Sequence, residues 1–140
     1  MNLPKAHEQS SWSNNYTFLV QGDAIEVLTI QSSEFPAFLR SLAHLEHHSY
    51  APNKWTIKEM LGHIIDTERI LTYRALCFAR NEKQALPGFE EDDYVANTDF
   101  STRTFEDMIL EFETLRRANM YFFKSLKETE LDRMGKASLS

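Results

Sequence analysis

The sequence predicts an all-α bundle, up-and-down in part with one longer crossover, in which three long helices can be read. Apolar residues recur at three- and four-residue spacing over three stretches, Phe35–Leu45, Ile57–Ala79 and Phe105–Leu126, which is the period of a helix with one buried face. No stretch alternates apolar and polar residues as a half-buried strand does. The strongest turn signals, Pro52-Asn53 and Pro87-Gly88, fall between the periodic stretches. At 140 residues the chain has room for one domain with a real core and not comfortably for two. That domain is read over residues 16–140, with 1–15 as a flexible lead-in.

Residues 1–15 are polar apart from Leu3 and Trp12. Tyr16–Gln21 is predicted to form a helical turn that Gly22 stops. Asp23 followed by Glu26 has capping-box spacing and opens a short helix, Ala24–Ile30. Ser33 is expected to cap the first long helix, with Pro36 acceptable in its first turn. The stripe Phe35, Phe38, Leu39, Leu42 and Leu45 carries that helix to about His48. Ser49–Lys54 is a tight connection, so its flanking helices should be antiparallel neighbours. The second long helix runs from about Thr56, a cap that Glu59 completes as a box, to Arg80. Residues 81–103 form a long crossover with Tyr94, Val95 and Phe100 to bury, and such connections are seldom idle. The third long helix starts at Thr104, with Asp107 in the box position, and runs to about Lys127. Phe105, Met108, Ile109, Phe112, Leu115, Asn119, Phe122, Phe123 and Leu126 mark its core side. No fourth long helix is read in ELDRMGKASLS. The bundle is then expected to recruit the N-terminal segment, to pair with another copy, or to take its last helix from beyond Ser140.

A formal charge of −6 argues against nucleic acid as a partner, because nonspecific binding rests on Lys and Arg neutralising phosphates. The single cysteine, Cys77, cannot form an internal disulfide, which suits a reducing cytoplasm. It reads as a small core residue with no Lys or His spaced to activate it. No run of about 18 apolar residues is present to span a membrane, and the N-terminus lacks a signal-peptide core. A cytoplasmic protein without a membrane partner is therefore expected.

The second helix carries the chemistry. Over Trp55–Arg74 apolar residues occur almost all the way round, so the helix is expected to be central, yet it also holds His63, Asp66, Glu68, Arg69 and Arg74. Gly62 costs about 1 kcal/mol relative to Ala inside a helix, which a close helix crossing beside His63 would explain. A neutral imidazole on a buried face is a candidate metal ligand, with Asp66 and Thr67 near enough on the helix to support it. Glu68 and Arg69 read as a structural ion-pair network reaching Arg116 or Arg117. A general-base role for Asp66 or Glu68 would need a metal-bound water or thiol within reach. His44 and His48 have the i,i+4 spacing of a local site, but with His47 they point about 120–200° from the apolar stripe and are expected in solvent near a helix C-terminus. Glu90–Asp93 lacks the alternating spacing of a calcium loop. It reads as a solvated acidic loop, pinned over the bundle end by Phe89 and Tyr94 in the manner of a lid.

Three segments carry a resemblance to a known family: YAPNKWTIKEMLGHIIDTERILTYRALCFAR at Tyr50–Arg80, LPGFEEDDYV at Leu86–Val95 and EFETLRRANMYFFKSL at Glu111–Leu126. Together they resemble the DinB-like (YfiT/DinB) superfamily of metal-dependent four-helix-bundle proteins, with the W-[ST]-x-K-E-x-x-x-H core as its most specific part. The resemblance implies a divalent metal, zinc or nickel, held by one His of the second long helix and two of the last, spaced H-x-x-x-H. His63 matches the first ligand. The last helix would lie beyond Ser140, so the site in this sequence is incomplete, since catalytic zinc usually needs three protein ligands. An intact member resembles thiol-dependent S-transferases or hydrolases, the metal stabilising a thiolate for attack on an electrophile. These 140 residues alone are expected to hold no metal and to be inactive. The alternative reading is a non-catalytic helical module, and on either reading a homodimer is expected.

Overall fold

The computed structural model describes residues 22–137; the expectations for the lead-in and for Tyr16–Gln21 lie outside them. The described residues form five α-helices: α1 (Ala24–Ser41), α2 (Ile57–Ala79), α3 (Glu91–Ala96), α4 (Phe105–Ser125) and α5 (Glu128–Leu131). Short 3-10 turns occupy Ala43–Leu45 and Phe100–Thr102. No strand occurs among the described residues; Leu86 and Ala137 make a single isolated bridge.

Three start signals operate as read. The Asp23 carboxylate accepts from the amides of Ile25 and Glu26. Thr56 and Glu59 form the reciprocal box at the start of α2, and the Thr104 hydroxyl accepts from the Asp107 amide at the start of α4. Each side chain satisfies amides that the first helical turn leaves without partners.

The first long helix departs from expectation at both ends. Ala24–Ile30 and the helix after it are one continuous element, because Ser33 does not cap: its hydroxyl donates back to the Ile30 carbonyl. Pro36 therefore lies inside α1, where its buried ring packs in the core. The helix stops at Ser41 rather than near His48, and the chain turns through Ala43–Leu45. The acidic run is not a loop either. Glu91, Asp92 and Asp93 form the first turn of α3, where their charge suits the positive end of the helix dipole.

The core centres on α4. Phe105, Met108, Ile109 and Phe112 are almost wholly buried there, against Leu39 of α1, Leu61 and Ile65 of α2, Val95 of α3 and Phe100. Both α1 and α2 pack chiefly on α4 rather than on each other. So α2 is not the all-round central helix expected from its pattern: Met60, Leu71, Tyr73 and Leu76 are exposed, and Cys77 is half-buried. The C-terminal end of α2 is covered by the tail. Arg133 donates to the Ala79 carbonyl, Arg80 pairs with Glu130 at 2.8 Å, and the backbone of Gly135 lies so close to the Phe78 ring that an added Cβ would sit 2.3 Å from it.

Candidate functional site

The start of α2 is stitched to the turn before it. The Ile57 amide donates to the His48 carbonyl at 3.0 Å and the Lys58 amide to the Glu46 carbonyl at 2.9 Å. Lys58 itself is buried, with its ammonium 3.9 Å from Glu46. This fixes Trp55, which packs its indole on the His63 imidazole with ring centroids 4.9 Å apart. On the next turn the Thr67 hydroxyl lies 3.4 Å from His63 Nδ1. His63 is thus half-buried and held by its own helix and by Trp55. Asp66 is half-buried beside it; burial raises its carboxyl above the ordinary range and the nearby Glu111 adds to this, against the pull of Arg69 and His63.

Gly62 has a different partner from the one expected. An added Cβ would lie 2.1 Å from Phe100 Cζ, so the crossover's Phe100 ring, not a crossing helix, occupies the space beside His63. The loop expected to act as a lid is tied down: Arg74 donates to the Pro87 carbonyl at 2.8 Å and lies 5.8 Å above the Phe89 ring, which in turn packs on Tyr94.

Most of the charge on α2 is structural. Arg116 of α4 grips Glu68 with two bonds of 2.7 Å, Asn119 donates a third at 3.0 Å, and the same guanidinium reaches the Leu28 carbonyl of α1 at 3.3 Å. One ion pair thereby joins all three long helices. Arg69 pairs with Glu111 of α4 at 2.5 Å rather than with an acid on its own helix, and Arg103 joins the same carboxylate. Burial alone would raise the Glu111 carboxyl, but the hydrogen bonds from Arg103 and Arg69 prevail and hold it below the ordinary value. Arg103 and Glu111 escaped the sequence reading. The i,i+4 spacing of Arg103 and Asp107, which do pair, was the available signal for the first, whereas Glu111 is defined only by tertiary packing.

Between α1 and α2 lies an open groove of about 640 Å³. Its walls are largely apolar: Phe35, Phe38 and Leu39 from α1, Leu42 just past its end, Met60 and Ile64 from α2, and Trp55 at the end. Lys54 and Asp92 stand on its rim. His63 is one ring removed from this groove, behind Trp55. Glu68, Arg69 and Cys77 do not line it, and His48 does so only from the connecting loop.

His44 and His48 share no helical face, because α1 ends before either; both are exposed, as is His47, which lies 2.9 Å from Glu46. Among the described residues no group of three or more His, Cys, Asp or Glu side chains is placed to hold a metal ion. The surroundings of His63 therefore do not by themselves fit a divalent cation.

The profile of the DinB superfamily matches residues 28–139, which takes in most of α1, all of α2 and α4, and the Trp55–His63 segment. The chain belongs to the DinB superfamily. No curated protein matches it, and no solved structure does. The helical architecture agrees with that membership, and no helix among the described residues is long and apolar enough to cross a membrane.

Proposed function

We propose that this DinB-superfamily domain is a helix-accepting module whose groove between α1 and α2 is closed by a second copy of the same chain. The observation that carries this is the groove itself: two helices lean on α4 and leave an apolar channel between them, with Phe38 55 % and Met60 43 % exposed. Contiguous apolar surface of this kind marks an interaction site. The rim supports self-pairing. Lys54 and Asp92 have opposite charge and no ion-pair partner among the described residues, and the reciprocal contacts of a two-fold interface can set Lys54 of each copy against Asp92 of the other. Changing Phe38 to Asp tests this: the variant should sediment as a monomer with its helical circular dichroism intact, while an unchanged association state would overturn the proposal.

A second reading rests on the superfamily match and on His63: a divalent-metal protein, binding zinc or nickel, with thiol-dependent S-transferase or hydrolase activity on a small thiol and an electrophile. The described residues supply one imidazole, so the remaining ligands would come from elsewhere. Elemental analysis of the purified protein and of His63→Ala decides it. Stoichiometric metal lost in the variant supports this reading; no metal in either sample removes it for these 140 residues.

A further inference from the structure

A second cleft lies along the seam between α1 and α4, about 480 Å³ in volume, within the range of small-molecule sites. We propose that it binds the phosphate monoester of a sugar or similar polyol. From α4 it is lined at i, i+4, i+7, i+8 and i+11 by Glu113, Arg117, Met120, Tyr121 and Lys124, and from α1 by Thr29, Ser32 and Ser33. The Glu113 carboxylate is already taken by Arg40 at 2.9 Å. Arg117 and Lys124 have no ion-pair or hydrogen-bond partner among the described residues, so the cleft offers two uncommitted positive charges on a chain whose net charge is −6.

The hydroxyl groups narrow the ligand further. Thr29 donates its proton to the Ile25 carbonyl, Ser32 to that of Thr29 and Ser33 to that of Ile30, at 2.6, 2.6 and 3.1 Å. With their protons engaged inside the helix, the three oxygens remain as acceptors. A ligand matching this cleft therefore brings a dianion for the guanidinium and ammonium, and hydroxyl donors for the α1 oxygens. The buried Met120 and the Tyr121 ring, 77 % exposed, supply an apolar face for the C–H side of a sugar. A carboxylate brings one negative charge to the two cations, and inorganic phosphate brings no C–H face to Met120 and Tyr121.

Isothermal titration calorimetry of the full 140-residue chain with glucose 6-phosphate, inorganic phosphate and glucose tests the assignment. The sugar phosphate should bind more tightly than inorganic phosphate, and glucose should not bind measurably. Arg117→Gln and Lys124→Gln should each weaken the sugar phosphate about tenfold or more, as expected for a lost charge-assisted hydrogen bond, while Lys127→Gln, outside the cleft, should change it less than about twofold. All these residues are exposed, so the variants should keep the parent's helical signal. Absence of binding at millimolar concentration would overturn the proposal. So would equal binding of inorganic phosphate, or equal weakening by Lys127→Gln.

Discussion

Replacing Glu68 by Gln should be among the most destabilising single changes the chain can take. The two side chains of the Glu68–Arg116 pair are only 11 % and 9 % exposed, and the carboxylate accepts three hydrogen bonds, from Arg116 Nε and Nη2 and from Asn119. Gln keeps the shape but loses the charge, and one of its two head atoms is a donor facing the donors of Arg116. Breaking a buried pair by removing one partner costs about 3–5 kcal/mol, because a charge is left buried without compensation. That is a large part of the 5–15 kcal/mol by which such domains are stable. The guanidinium also holds the Leu28 carbonyl, so the loss should loosen α1 as well as the contact between α2 and α4.

Urea unfolding followed by circular dichroism measures the effect. Glu68→Gln should lower the stability by about 3 kcal/mol or more, whereas Glu68→Leu combined with Arg116→Met should recover most of it, since apolar replacement of a whole buried pair is often neutral or stabilising. The reasoning is refuted if Glu68→Gln costs less than about 1 kcal/mol, the level of an exposed pair. It is equally refuted if the double variant is as unstable as the sum of its parts.

Gly62→Ala should be destabilising by about 1–3 kcal/mol although Ala is the better helix former by about 1 kcal/mol, because its Cβ meets Phe100 Cζ at 2.1 Å; Phe100→Leu in the same background should reduce the loss in thermal melts. Thr56→Ala removes one half of the capping box and should cost about 1 kcal/mol, read as a shift in the urea midpoint. Asp66→Asn gives a pH-dependent result. Burial raises the Asp66 carboxyl in the folded chain, so ionisation penalises the fold once pH rises above the unfolded carboxylate range near 3.8. The Asn variant should be the more stable protein at pH 7, and the difference should shrink as pH falls through that range; a constant difference at both pH values would show that desolvation of the charge is not its cause.

What could be read from the sequence was local or periodic. The Asp23, Thr56 and Thr104 caps depend on residues two or three apart, and all three form as read. The apolar stripe of α4 is its buried face, with Phe112, Met108 and Ile109 at the centre of the core. The cost of burying charge on α2 points Glu68 and Arg69 to an ion-pair network reaching Arg116 or Arg117, and of these the Glu68–Arg116 pair forms. The failures arose where a competing local interaction or a distant contact decided the outcome. Ser33 turned its hydroxyl to the Ile30 carbonyl instead of capping, which let α1 run through. The three acids after Glu90 found a helix N-terminus and ordered there. Gly62 meets a ring thirty-eight positions away in the chain, Phe100, and no spacing along α2 signals that. The apolar residues around α2 suggested a surrounded helix, but periodicity cannot tell a face covered within the chain from one left for another molecule. Met60, Leu71 and Leu76 are exposed among the described residues.

That open face makes association the central claim. Sedimentation equilibrium of the purified 140-residue chain over a hundredfold concentration range tests it most directly. The groove between α1 and α2 predicts a species of twice 16.3 kDa that dissociates when Phe38 is changed to Asp. A single species at 16.3 kDa throughout, with the groove residues unaltered, would contradict it.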